Sequence, residues 1–302
     1  MSGTFLAVPG QGSQSLGMGR QLATRHSAAR AVFDEAADAL GFDLRDVMWG
    51  DSASRLMATD HAQPAIVLLA IAALRAWDAS TSSALDIRWA VGHSVGSIAA
   101  AIAAGALAFA DGMRLARTRG LVMSAAPGPG AMLAVAVTSS HAHGDIARVA
   151  AALGLDIACI NGPRQIVLAG PRAGILEART TFGARSRLLD VSHGFHSSLM
   201  DPVAQRWARE VATTPFRDPR VPLLSAISGE LLHTAEHIAE DVRRGVRETV
   251  RWDLVTAVAH DSGCSAVILG NGHTLIRFWR GDAIADGAIV VDDAFRGGVR
   301  AA

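Results

Sequence analysis

Only two cysteines occur among the 302 residues, Cys159 and Cys264. Each lies in a hydrophobic segment with no second cysteine near it, which excludes a disulfide framework and a zinc site built on thiolates. Two buried free thiols are expected. Net charge is lacking as well, because 28 basic residues balance 28 acidic ones. No global attraction to nucleic acid or to an anionic membrane follows from such a balance, although a local basic patch is compatible with it. No uninterrupted run of about 18 apolar residues is present, and the stretch from Met1 to Gly10 lacks a basic region followed by a long apolar one. A soluble cytoplasmic protein without a nucleic-acid or membrane partner is expected. Half of the sequence is hydrophobic, so a chain of this length can bury a full core, as one large domain or as a large domain carrying a smaller insert. There is no internal repeat, and the alanine-rich stretch Ala99 to Ala108 fits close helix packing.

What is present centres on residues 89–103. Trp89-Ala90-Val91-Gly92 reads as a buried strand, His93-Ser94-Val95 as one sharp turn, and Gly96 onward as a small-residue helix. Gly92 and Gly96 frame Ser94 as Gly-x-Ser-x-Gly, the pattern of a nucleophile elbow, whose strained strand-to-helix turn leaves no room for Cβ atoms two residues either side of the serine. The helix that follows points its free N–H groups and positive dipole end at the same place, where an oxyanion formed from an ester or thioester would be stabilised. The pattern therefore favours acyl transfer, although five residues in a Gly/Ala-rich chain also match by chance.

Residues 4–8 read as a short buried strand, and Pro9-Gly10-Gln11-Gly12-Ser13-Gln14 as a polar turn at its C-terminal end. Helical spacing runs through about 17–40 and about 61–78, and a further helix from Met113 to about Ala125 is stopped by Pro127-Gly128-Pro129-Gly130. The pattern then changes. Strands at 131–137, 155–160, 165–169 and 186–191 and helices at 144–153 and 173–182 give the order βαββαβ, which is the split βαβ, ferredoxin-like arrangement. The reading is an α/β fold with an inserted subdomain over 128–192, carried by a main body of 1–127 and 193–302. In the returning chain a helix runs to about Val211, a strand is expected at 221–225, helices at 236–245 and up to about His260, and a last strand at 266–269. No role follows for the tail beyond Asp282.

A serine hydroxyl needs a base within hydrogen-bond reach. Of eleven histidines, His196 is the best candidate, since it follows Gly194-Phe195 at a domain return among Ser192, Ser197 and Ser198. A lone loop histidine is otherwise a solvated side chain. His93 could contact substrate or equally be a packed elbow residue. His61, His141, His143, His233, His237 and His260 lie in surface-like contexts and receive no role.

Six motifs in register carry a resemblance: Pro9-Gly10-Gln11-Gly12-Ser13-Gln14, Gly92-His93-Ser94-Val95-Gly96, Arg117-Thr118-Arg119-Gly120, Asn161-Gly162-Pro163 with Gln165, Gly194-Phe195-His196-Ser197, and Val250-Arg251-Trp252. In order and spacing the chain resembles the malonyl-CoA:acyl carrier protein transacylases and the related acyltransferase domains of polyketide synthases, from residue 4 to about 280. The resemblance implies an α/β-hydrolase-like large domain with a ferredoxin-like insert. It implies Ser94 as the acylated nucleophile, His196 as base and later acid, and the backbone N–H groups of Gln11 and Val95 as the oxyanion hole. Arg119 matches the arginine that binds the free malonyl carboxylate bidentately, as a planar guanidinium can. An arginine on this helix is ordinarily solvated, and Arg114 and Arg117 are read that way. Phe195 matches the bulky residue that narrows the pocket against an α-methyl branch, and His93, Asn161 and Gln165 are taken as substrate-binding.

Three departures stand out. Ser97 replaces a common acidic residue, Arg251 replaces a neutral amide residue whose backbone carbonyl orients the histidine, and Gly270-Asn271-Gly272 replaces Gly-Pro-Gly. Arg251 is kept as histidine orienter because any residue has a carbonyl. The implied reaction uses malonyl-CoA as substrate, an acyl carrier protein as partner, no metal and no tightly bound cofactor, with Arg185, Arg187, Arg277 and Arg280 as candidates for the partner surface and a monomer as the expected state. An acyl hydrolase that clears carrier proteins is the alternative within enzymes, and a non-catalytic carrier-docking module the alternative outside them.

Overall fold

A computed structural model describes residues 3–81, 86–138, 142–280 and 282–296; His141 lies outside them. Among the described residues eleven strands are formed: β1 Thr4–Val8, β2 Ile87–Gly92, β3 Gly130–Ala136, β4 Asp156–Ile160, β5 Gln165–Pro171, β6 Ser186–Leu188, β7 Leu223–Leu224, β8 Leu231–Leu232, β9 Val250–Arg251, β10 Ser265–Leu269 and β11 Ile289–Val291. They make two sheets. The larger has the order β11-β10-β1-β2-β7-β8, parallel throughout except for the final antiparallel β7–β8 pair. Phe5, Leu6, Ala7 and Val8 of β1 are all fully buried, as a central parallel strand covered on both faces requires.

The helix Thr59–Ser80 is long and apolar enough to cross a membrane by length and composition, yet 78% of its apolar window is buried within the protein. It packs against the helices Phe109–Ser124 and Ser27–Leu40 and is a core helix here. The single helix expected over 17–40 is instead two, Arg20–Arg25 and Ser27–Leu40, separated by an extended His26. Tertiary contact explains the break. The C-terminal segment lies against this point, with Asp293 accepting from the Leu22 N–H at 2.8 Å and the Phe295 ring stacked on both His26 and Trp77. The tail thus has a structural place, since β11 extends the large sheet and Phe295 closes over the helices.

The second sheet has the order β6-β3-β5-β4, with every one of these pairings antiparallel. With the helices Ala142–Ala152 and Arg172–Phe182 it encloses its own core of Leu133, Val135, Ile146, Leu168, Ile175 and Phe182. The βαββαβ order and its ferredoxin-like pairing are both present. One element was not expected. The sheet gains a fifth strand, β9, parallel to β4 in the register Cys159↔Val250 and Ile160↔Arg251, so the return at 193 does not separate the two layers. Cys264 departs from expectation too, being half-buried, whereas Cys159 is buried.

At the end of β2 the elbow glycines are a steric necessity. A Cβ on Gly92 would lie 1.9 Å from the Gly96 carbonyl carbon, and one on Gly96 would lie 2.5 Å from the Val8 oxygen. These neighbours are backbone and cannot rotate away. Gly92→Ala is therefore expected to destabilise the fold by about 3 kcal/mol, the upper end of overpacking costs, read as a lowered urea midpoint with an unchanged m-value.

Candidate active site

β2 delivers Ser94 to the turn, and the helix Gly96–Ala103 leaves from it. Among the described residues only two non-glycines have positive φ, Ser94 at 53° and His196 at 55°. A left-handed backbone costs an L-residue about 1–3 kcal/mol and persists where surrounding structure imposes it. These two strained residues meet: Ser94 Oγ lies 2.7 Å from His196 Nε2. On the far side of the ring, Nδ1 is 2.9 Å from the Glu248 carbonyl oxygen. A carbonyl can only accept, so Nδ1 carries the hydrogen and Nε2 presents its lone pair to the serine hydroxyl. His196 is buried. Burial pushes its pKa down to about 3, with the Arg119 cation and His93 adding to the depression and the Glu248 carbonyl opposing it.

The orienting carbonyl is thus that of Glu248, which corrects the assignment to Arg251. Arg251 is already part of β9: its N–H donates to Ala226 O at 2.6 Å, and its guanidinium pairs with Asp253 at 2.8 Å. A two-residue strand fixes that peptide in the sheet and leaves the preceding bend to face the histidine.

Arg119 is 3% exposed and, among the described residues, has no carboxylate within ion-pair range. Its Nη1 donates to Gln63 Oε1 at 2.9 Å, and its Nη2 to Gly245 O at 2.8 Å and to Ser94 Oγ at 3.3 Å. Burial lowers its pKa to about 9, so it stays cationic at neutral pH. A buried charge held only by neutral acceptors is costly, and a site built that way is suited to an incoming anion. Gln63, 1% exposed on the core helix Thr59–Ser80, was not singled out from the sequence. Its one visible signal is an amide immediately before the apolar run from Pro64 to Leu74 of that helix. The neighbouring arginines separate: Arg114 pairs with Asp111 at an exposed site, as a solvated face implies, but Arg117 is held by both the carboxylate and the carbonyl of Asp60 and lies over Phe42.

Around this centre lies a cavity of about 720 Å³, lined from both layers by Gln11, His93, Ser94, Arg119, Asn161, Gln165, Phe195 and His196 among others. His93 is a packed elbow residue that also lines the cavity. Its ring packs near Trp252 and Phe278, and its Nε2 lies 2.9 Å from Asn161 Oδ1, while Asn161 Nδ2 donates to Gln165 Oε1 at 2.8 Å. That chain ties the elbow to β4 and β5. The amide N–H groups of Gln11 and Val95 donate to no protein acceptor among the described residues. Asn271 holds the Gln11 loop by donating to Ser13 O at 2.9 Å. Cys159 also lines the cavity, with its thiol pKa pushed up to about 12 by burial. Exposed Arg164, Arg185, Arg187 and Arg277 rim the cavity, and Arg280 does not line it.

An elbow serine hydrogen-bonded to a buried, oriented histidine, beside a buried guanidinium with no carboxylate partner among the described residues, is an arrangement suited to handling acyl groups. The comparisons with known proteins agree. A family model described as "Acyl transferase domain" matches residues 4–278, and the chain belongs to that family. It is 33% identical over 261 residues to the malonyl CoA-acyl carrier protein transacylase of Bacillus subtilis, covering 84% of this chain and 81% of that protein. It is 37% identical over 260 residues to a phenolphthiocerol synthesis polyketide synthase type I of Mycobacterium marinum, covering 81% of this chain and 12% of that protein. The chain spans only 12–15% of the length of this and two further mycobacterial synthases that it matches. Among solved structures, the acyl-carrier-protein-S-malonyltransferase from Bartonella henselae superposes with a TM-score of 0.87 at 31% identity, covering 96% of this chain and 95% of that one. A malonyl-transacylase in complex with a type II polyketide synthase acyl-carrier protein superposes with the same TM-score at 28% identity, covering 96% and 95%.

Proposed function

We propose that this chain moves a malonyl group from malonyl-CoA to the phosphopantetheine thiol of an acyl carrier protein through a Ser94 acyl-enzyme. The observation that carries the reading is the buried, carboxylate-free Arg119 with Nη2 only 3.3 Å from the Ser94 oxygen. That short separation suits an acyl group whose free carboxylate is one methylene from the carbonyl under attack, which is a malonyl group. An acyl hydrolase of monocarboxylic chains has no use for such a cation.

In the first half-reaction His196 Nε2 takes the hydroxyl proton while Ser94 Oγ bonds to the thioester carbon. The N–H groups of Gln11 and Val95 hold the resulting oxyanion. Collapse breaks the carbon–sulfur bond, coenzyme A leaves with the proton returned by His196, and a malonyl-serine ester remains. In the second half the carrier thiol gives its proton to His196, its sulfur attacks the ester, and Ser94 leaves and recovers the proton. Phe195 walls the cavity beside this path and limits an α-branch; one methyl is worth about 1–3 kcal/mol, so some methylmalonyl transfer is expected. The rim of Arg164, Arg185, Arg187 and Arg277 suits an acidic carrier. Service to a polyketide assembly line is favoured by the synthases among the relatives and by Ser97 and Arg251.

The test is intact-protein mass after brief mixing with malonyl-CoA, then addition of a holo carrier protein, with acetyl-CoA and methylmalonyl-CoA in parallel. All 28 basic residues are arginine, so no lysine competes as an acyl acceptor. A single malonyl adduct is expected, absent in Ser94→Ala and passed to the carrier. An adduct lost to water at the same rate with and without the carrier would turn the reading to the hydrolase.

A further inference from the structure

We propose that Asp156, at the start of β4 in the inserted subdomain, is a positioning residue for His196. The proposal rests on the reading of His196 as the base for Ser94, and it starts from the strain at that histidine. His196 sits at φ 55°, a conformation that relaxes unless the chain is tied on both sides of it. On the N-terminal side its own N–H donates to Val246 O at 3.3 Å. On the C-terminal side Ser197 Oγ donates to Gly194 O at 2.6 Å within the same loop, and the tie from outside that loop is Asp156. Its Oδ2 accepts from the Ser198 N–H at 2.9 Å and from the Ser198 hydroxyl at 2.8 Å, two charge-assisted bonds on a residue two positions after the histidine. No other group among the described residues receives either donor.

The same carboxylate reaches the second segment that holds the ring. Its Oδ1 lies 3.6 Å from Arg247 Nη1, and Arg247 Nε donates to Asp201 Oδ1 at 2.8 Å. Arg247 stands in the loop whose carbonyls do three separate tasks: Gly245 O holds Arg119, Val246 O receives the His196 N–H, and Glu248 O receives its Nδ1 hydrogen. Next to Asp156, Ile157 O accepts from Thr249 Oγ1 at 2.7 Å, and β9 then pairs with β4. The Arg247 contact and the two Ser198 bonds are all partly exposed, and the ion pair contributes little alone. The two Ser198 bonds carry the effect, and the loop contact keeps both segments in one register. The insert supplies neither Ser94 nor His196, yet through β4 it sets the geometry between them.

The test reads Ser94 activation without malonyl chemistry: the rate at which a fluorophosphonate labels Ser94 in the full chain. Wild type, Asp156→Ala, His196→Ala and the double variant form a cycle. Asp156→Ala is expected to slow labelling about tenfold when His196 is present and by less than about twofold when it is absent, because a positioning effect vanishes with the residue positioned. Asp156→Asn keeps volume and an acceptor oxygen toward Ser198 and is expected to recover most of the rate. Should Asp156→Ala fold poorly, Arg247→Gln frees the loop side of the same contact, leaves β4 intact, and is expected to show the same dependence on His196 at a smaller size. Equal slowing in both backgrounds, or no slowing in either, overturns the proposal. Wild-type labelling no faster than that of His196→Ala overturns it along with the role of the base. Normal labelling with no malonyl adduct overturns the malonyl reading alone.

Discussion

Arg119→Met is expected to lower kcat/KM for malonyl-CoA about a thousandfold, the equivalent of about 4 kcal/mol, while acylation by acetyl-CoA stays within about threefold of wild type. The size follows from the site. Arg119 is almost wholly buried, and its partners are a glutamine amide, a backbone carbonyl and a serine hydroxyl. All of them are neutral, so among the described residues the positive charge has no counter-ion, and a ligand carboxylate would supply one. Truncating one partner of a buried charge pair typically costs 2–5 kcal/mol or more, much of it the penalty for stranding the other charge. Here the stranded group would be the malonyl carboxylate. Acetyl has no such group and loses nothing by the exchange. Arg119→Lys is expected to recover only part of the malonyl rate, since an ammonium cannot hold Gln63, Gly245 and a bidentate carboxylate together. Steady-state kinetics with the two thioesters separate the outcomes: an equal fall for both would mean that Arg119 only supports the Ser94 and Gly245 geometry.

The parts of this site that were legible in the sequence are those where one residue type is forced. Gly92 and Gly96 are forced by backbone atoms within 2–3 Å of where a Cβ would go, so the elbow shows as a pattern. The βαββαβ order shows because each strand and helix carries its own apolar period and forms its own small core. Arg119 and His196 were found with the help of the family resemblance, since a guanidinium or an imidazole on its own is more often solvated. What stayed hidden depends on backbone or on partners far away in the chain. Glu248 orients His196 through a carbonyl, which every residue has, so its position could not be read from side chains and the neighbouring Arg251 was taken instead. β9 is two residues long and exists only because β4 offers an edge. The break at His26 is imposed by Phe295 and Asp293, roughly 270 residues away. Gln63 looks like an ordinary irregularity in a helical pattern until the cation it faces is known.

His196→Ala is expected to slow malonyl transfer about a thousandfold, within the range for loss of a general base, and the pH dependence of the wild type adds a sharper test of the site. An ordinary histidine base would lose half its activity at its usual pKa of 6.5. With the pKa held down to about 3, His196 stays neutral through mild acid, and acylation should be flat from about pH 5 to 8. Stability carries the matching signature. The folded pKa lies below the unfolded one, so between pH 6.5 and about 3 the unfolded chain binds the extra proton, and the fold loses up to about 1.4 kcal/mol per pH unit as the pH falls through that window. His196→Phe should remove this loss in urea titrations. The two half-reactions should also differ. Arg119 is one of the charges that depress His196, and a bound malonyl carboxylate would neutralise it. The His196 pKa must then rise in the acyl-enzyme, so the acid limb for transfer to the carrier should lie at higher pH than the acid limb of kcat/KM for acylation, which reports the free enzyme. In Arg119→Met, where the cation is gone from the start, the acid limb of acetyl acylation should rise too, and the separation between its two half-reactions should disappear. Single-turnover rates at subsaturating malonyl-CoA and at subsaturating carrier, from about pH 3 to 8, measure both. Coincident limbs in the wild type would mean that the malonyl carboxylate does not sit on Arg119.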